Sequence, residues 1–113
     1  MTCSQWDVVV VPFPFTDRQA VKRRPALVLS DPREFDIGHS VLAMITSQHN
    51  AAWPLDVSIT GKRAAGLAAP SVVRMKLFTL DHRLILRRAG RLSEKDVSAV
   101  RRSLRALFGR LPS

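Results

Sequence analysis

The sequence predicts a mainly β domain, a closed sheet finished by one C-terminal helix. Three observations carry this. Short apolar runs rich in β-branched residues recur from Asp7 to Leu77, each too short for a buried helix. They are apolar nearly throughout, as strands buried on both faces are. Only after Ser93 do the apolar residues fall into helical spacing.

Asp7 to Val11 carries four valines behind one acid and reads as the first strand. Proline has no N–H to give a ladder, so Pro12-Phe13-Pro14-Phe15-Thr16-Asp17 is expected to stop that strand and open a loop reaching Arg24. Ala26 to Leu29 follows as the second strand, with Lys22-Arg23-Arg24 at its mouth, because Pro25 biases Arg24 toward extended geometry. Asp31 to Gly38 reads as a turn or one helical turn, closed by glycine. Ser40 to Thr46 is the third strand and Gln48 to Trp53 a polar loop. Leu55 to Thr60 alternates apolar and polar residues, as a half-exposed fourth strand does. Gly61 to Gly66 turns the chain into a fifth strand, Ser71 to Leu77, in which Arg74 and Lys76 share a face. Leu84 to Leu92 reads as a bent strand interrupted at Gly90. Ser93-Glu94-Lys95-Asp96 has the form of a capping box with Asp in the usual Glu place. Behind it Val97, Val100, Leu104, Leu107 and Phe108 form an apolar stripe, with Arg101, Arg102 and Arg105 opposite.

A chain of 113 residues with 46% hydrophobic content is one domain with one real core, covering 1–113 without a linker. The formal charge of +9 is uneven: residues 1–60 carry −1 and residues 61–113 carry +10. So basic a half suggests a polyanionic partner, nucleic acid or an acidic protein segment, with a solvated basic face as the plainer reading. Cys3 is the only cysteine, which excludes an internal disulfide and a cysteine-based zinc site and fits a reducing cytosol. The N-terminus lacks a basic leader, and its apolar run is broken by Pro12 and Pro14, so neither a signal peptide nor a membrane span is expected.

A guanidinium at a fixed strand end is a candidate anion site. Arg24 is such a group, and Thr46-Ser47-Gln48 places a hydroxyl and amide cluster at a second strand end. The functional expectation is that Arg24 and Thr46 meet in one groove. Neither carboxylates nor histidines are clustered at ligand spacing, so no metal or other cofactor is expected. Ordinary readings stand beside each residue: Arg24 as a loop arginine, Thr46 as a β-former closing a strand, His49 as a solvated loop histidine. Phe13 and Trp53 read as core residues, Phe15 equally as core or stacking face, and Arg23 as solvated. Arg18, Lys22, Arg74 and Lys76 are candidate phosphate contacts.

Four blocks in series resemble the MazF/PemK family of bacterial toxin endoribonucleases: Asp-Val-Val-Val-Val-Pro-Phe-Pro-Phe-Thr-Asp at 7–17, Arg-Arg-Pro-Ala-Leu-Val-Leu-Ser at 23–30, Ile-Thr-Ser-Gln at 45–48 and Gly-Leu-Ala-Ala-Pro-Ser-Val-Val-Arg at 66–74. The resemblance implies an SH3-like barrel of the CcdB/MazF/PemK type with a C-terminal helix, a cytoplasmic homodimer, and sequence-selective, metal-independent cleavage of single-stranded RNA. It also implies inhibition by a cognate antitoxin, expected to lay an acidic, initially disordered segment over the basic groove. The family's arginine before proline falls on Arg24 and its catalytic threonine on Thr46. An RNA-binding set of Phe15, Arg18, Lys22, Ser47, Gln48, His49, Arg74 and Lys76 would surround them. The same barrel underlies gyrase-poisoning toxins, so a protein that acts by contact alone, on gyrase or on RNA, is the alternative. Two positions depart from the family: Trp6 stands where glycine usually opens the first strand, and Lys76 where some PemK-like members carry the acid of an Arg-x-Asp pair.

Overall fold

In a computed structural model, describing residues 3–13 and 22–109, six strands form one curled antiparallel sheet with a C-terminal helix across it. The strands are β1 (Asp7–Phe13), β2 (Lys22–Val28), β3 (His39–Ser47), β4 (Val57–Ser58), β5 (Ser71–Asp81) and β6 (Arg87–Arg91), and the helix is α1 (Glu94–Phe108). The spatial order is β4-β5-β3-β2-β1-β6. The mainly β architecture with its single terminal helix is as the sequence predicts.

Continuous apolar strands are explained by burial on both faces. Val8, Leu27, Ala43, Ile45 and Val73 point to one side, where Val97, Val100 and Leu104 of α1 cover them. The alternate residues Val9, Val11, Ala26, Val28 and Leu42 form a second cluster with Cys3, Leu80 and Ile85 on the other side. Full burial of one Val or Leu is worth about 1.5–3 kcal/mol, so these two layers dominate the stability.

The ladder itself is not closed. β4 and β6 remain unpaired with each other, and the turn after β4 spans the gap: Arg91 N donates to Ala64 O over 2.9 Å. Gly90 permits this approach, since a Cβ there would collide with the Ala64 carbonyl oxygen, and Gly66, at φ +72°, faces Ala89 in the same way. The expected interruption at Gly90 is present as an irregularity, the β1–β6 register shifting between Val8↔Gly90 and Val9↔Arg88, and Gly90 is also a close packing point; β6 begins only after a single 3-10 turn at His82–Leu84.

Pro12 and Pro25 both lie within strands, contrary to expectation. β1 continues through Pro12, which pairs with Arg23, and β2 begins at Lys22, so Arg23 and Arg24 are strand residues and not a strand mouth. Alternation explains the tolerance. Val10 O accepts from Leu86 N, so Val10 faces β6 and Pro12 faces the same side, where the β1–β6 ladder has already ended at Val10.

Three further expectations need correction. β4 shrinks to two residues because Leu55 takes φ 68° and Asp56 is drawn into side-chain bonds. Ser93 caps α1 by accepting from Asp96 N, but Asp96 does not return the bond. Its carboxylate, 2% exposed, instead accepts from Thr60 N, Thr60 Oγ1 and Gly61 N, tying α1 to the end of β4. Leu107 and Phe108, expected on the apolar stripe, project past the sheet and are exposed.

Trp6 adopts φ 74° immediately before β1, a left-handed backbone that glycine adopts without cost. Its indole is buried in the α1-side core and carries the Arg101 guanidinium 5.5 Å from the ring centroid. Packing outweighs the backbone strain here. Among the described residues, no helix is long and apolar enough to cross a membrane.

Candidate functional site

β2 and β3 are zipped as far as Leu27↔Ala43 and Ala26↔Met44, and no further. The next hydrogen-bonded pair would join Pro25 to Ile45, and Pro25 has no N–H to donate. One missing donor thus opens a corner of the sheet. Continuing the register brings Arg24 opposite Thr46, on the face that also carries Met44. Both residues border a depression of about 380 Å³ at the gap between the two strands, with Lys22, Arg23, Ser47 and Ser71. Both also line a smaller one of about 200 Å³, with Phe13, Asn50, Trp53, Arg74 and Lys76.

Arg24 is half-buried, with its Cζ 5.2 Å from the centroid of the Phe13 ring. Its Nε is buried without a hydrogen-bond partner among the described residues. A buried donor left unpaired costs about 1–3 kcal/mol, a cost that an entering anion can offset. Thr46 Oγ1 accepts from Asn50 Nδ2 over 2.6 Å, which leaves the hydroxyl proton available for a second acceptor.

Arg74 is held differently. Its Nε and Nη2 bond to the two oxygens of Asp56 at 3.2 and 3.0 Å, Nη2 also donates to Ala51 O at 2.7 Å, and its Cζ sits 5.0 Å from the Trp53 ring centroid. Burial alone would raise the Asp56 pKa, but the Arg74 guanidinium and the Trp53 amide hold it below the usual carboxylate value. Asp56 therefore stays charged and fixes Arg74, which in turn braces the 51–56 loop. Lys76, two residues along the same face, is exposed at the pocket edge.

The unzipped corner therefore brings together Arg24, Thr46, Lys22, Ser47, Arg74 and Lys76. Gln48 and His49 sit exposed on the turn after β3 and line neither depression; His49 N donates to Ser47 Oγ at 3.2 Å. Phe15 and Arg18 lie outside the described residues. Two aromatic expectations change: Trp53 is 44% exposed and Phe13 is half-buried at the pocket, so neither is a core residue. Arg23 is exposed as expected and lines the larger depression. Asn50 was missed. Its signal was the cluster of short polar residues after a strand end, whose side chains bond locally across a turn.

Comparison with known proteins places this geometry. Residues 4–108 match the family described as PemK-like, MazF-like toxin of type II toxin–antitoxin system. The fold resembles that in the crystal structure of MazE–MazF (Form-II) from Deinococcus radiodurans, with TM-score 0.74 and 21% identity, covering 98% of this chain and 99% of that one. Mycobacterium tuberculosis toxin MazF-mt6 superposes with TM-score 0.71 at 21% identity over 90% of this chain and 95% of that one. An endoribonuclease in complex with its cognate antitoxin from Mycobacterial species gives 0.75 at 15% identity, covering 98% and 100%. No curated protein matches the chain.

Proposed function

The chain belongs to the PemK-like, MazF-like toxin family of type II toxin–antitoxin systems, and from that membership we propose that it is a metal-independent, sequence-selective endoribonuclease acting on single-stranded RNA as the growth-inhibiting toxin of such a pair. The observation that supports this best is the meeting of Arg24 and Thr46 in the corner that Pro25 leaves unzipped.

In the reaction, a ribose 2′-oxygen attacks the adjacent phosphorus and the bond to the 5′-oxygen breaks, leaving a cyclic phosphate and a 5′-hydroxyl. Extra negative charge gathers on the non-bridging oxygens at the five-coordinate stage. The Arg24 guanidinium suits two of those oxygens with parallel hydrogen bonds, and the Thr46 hydroxyl, oriented by Asn50, donates to one of them. Lys76 adds positive potential at the pocket edge, and Lys22, Arg23 and Ser47 line the path beside it. Arginine stays protonated and is a poor general base, so Arg24 serves charge compensation. Gln48 and His49 meet the RNA from the rim of the turn.

The chain works as a cytoplasmic homodimer, restrained by an antitoxin whose acidic segment, disordered until bound, covers the same basic groove. Two of the structural relatives are described as complexes with an antitoxin or with MazE. Purified protein is expected to cleave single-stranded RNA in the presence of EDTA, and Arg24→Ala and Thr46→Ala to abolish cleavage with the fold intact. Full activity in both variants overturns the site; intact RNA with the wild-type protein overturns the nuclease.

A further inference from the structure

Cleavage at the Arg24–Thr46 corner leaves one proton without a donor. The departing 5′-oxygen carries away an electron pair, and an alkoxide leaves slowly unless a proton reaches it as the bond breaks. Few groups in the depression of about 200 Å³ can supply one. A guanidinium does not give up its proton in a protein, which sets aside Arg24 and Arg74. The Asn50 amide, the Trp53 indole and the side chains of Phe13 and Met44 do not titrate, and the Thr46 hydroxyl serves a non-bridging oxygen. Neither a histidine nor a carboxylate is among the described lining residues. Lys76 is the one side chain left, and an ammonium, unlike a guanidinium, can part with a proton.

The sheet is deformed where Lys76 stands. Ala43 pairs with Leu77 and Ile45 with Val73, so the single residue Met44 of β3 lies opposite three residues of β5, Arg74, Met75 and Lys76. A bulge of this kind bends its strand and re-aims side chains, a device common beside reacting centres. Met75 packs into the α1-side core, while Arg74 and Lys76, on the other face, both line the depression that holds Thr46. The two cations have different duties. Asp56 takes two nitrogens of the Arg74 fork, whereas no carboxylate pairs with Lys76 among the described residues, and its side chain is exposed at the pocket edge.

We propose that Lys76 is the general acid of the cleavage, its ammonium giving a proton to the 5′-oxygen as the bond between phosphorus and that oxygen breaks. This rests on the nuclease reading and adds the proton donor that Arg24 cannot be. The 2′-oxygen bonds to phosphorus as its own proton passes to water. The 5′-oxygen leaves with the electron pair of the broken bond and takes the Nζ proton, and the neutral amine regains a proton from solvent.

The test compares wild type, Lys76→Met and Lys76→Arg on two RNAs of one sequence. One is ordinary RNA; in the other, sulfur replaces the bridging 5′-oxygen at the cut mapped with wild type. A thiolate leaves without needing a proton. Both variants are expected to cut ordinary RNA at least about 100-fold more slowly than wild type, yet to cut the sulfur-bridged RNA within about threefold of it. Each variant is thus its own control for folding and for binding. Near-wild-type cutting of ordinary RNA by Lys76→Arg, which keeps the charge, reduces Lys76 to an electrostatic role and overturns the proposal. Equal slowing on both RNAs overturns it as well. Undiminished cutting of ordinary RNA by both variants overturns it and leaves the nuclease standing, whereas a wild-type protein that cuts neither RNA removes both readings together.

Discussion

Asn50 Nδ2 donates to Thr46 Oγ1 over 2.6 Å, across the turn that closes β3. With Asn50 as donor, the threonine's own proton is free for another acceptor. Asn50→Ala is therefore expected to slow RNA cleavage about fivefold, the worth of one ordinary hydrogen bond at about 1 kcal/mol. The loss should appear in kcat more than in KM, with the thermal midpoint unchanged.

Arg24 supports the proposed chemistry at the expense of stability, because its Nε is buried and has no partner among the described residues. Arg24→Met keeps an unbranched apolar stem out to the position of Nε and removes that donor with the rest of the guanidinium. The variant is expected to be inactive yet to unfold at a urea midpoint no lower than wild type, with a gain of up to about 1 kcal/mol. A clear drop in the midpoint would show that the guanidinium holds the sheet corner together.

Arg74 and Asp56 meet fork to fork with side-chain exposures of 10% and 14%. An ammonium cannot make both bonds and also reach the Ala51 carbonyl. Arg74→Lys is expected to destabilise the protein by about 2 kcal/mol. It should also loosen the 51–56 loop, read as faster amide exchange at Trp53 and Asp56.

Asp96 is one of the carboxylates that make stability depend on pH. Burial pushes its pKa up, but the Gly61 and Thr60 donors outweigh burial and hold it below the ordinary aspartate value. With the folded value depressed, its stabilisation is complete above the ordinary carboxylate range and is lost as pH falls through the folded value. Asp96→Asn turns an NH₂ group toward backbone N–H groups and is expected to cost about 2–3 kcal/mol at pH 7. Its urea midpoint should then fall less than that of wild type between about pH 5 and about pH 2, the span of carboxylate titration.

Trp6 pays for its positive φ with packing. Trp6→Gly relieves about 1–2 kcal/mol of backbone strain and gives up an indole worth about 3–5 kcal/mol. A net loss of about 1–4 kcal/mol is expected, smaller than that of Trp6→Ala, which loses the ring and keeps the strain. Thermal denaturation of the two variants side by side reads the difference.

Strands and helix were legible because burial writes itself into composition: Val8 to Val11 and Leu42 to Ile45 are apolar on both faces since each face has its own cluster. Arg24 and Thr46 were legible by resemblance, and their meeting follows from a register that short-range pattern cannot supply. What stayed hidden depends on partners distant in sequence. Pro12 reads as a strand breaker until the edge it faces is known to be unpaired, and Asp96 reads as half of a capping box until Thr60 arrives to claim it. Trp53 looks like core because nothing nearby in the chain announces that Asp56 and Arg74 hold it out.

The pyrrolidine ring of Pro25 has a consequence beyond its own strand. Sheets tend to seal themselves, each donor recruiting the next acceptor, and a seam left ajar must be kept so by something that packing cannot undo. Here the obstacle is covalent. The cleft's mouth is thus written into the primary structure at one residue, and a chain that exchanged that residue for one able to donate would gain a longer seam and lose its doorway.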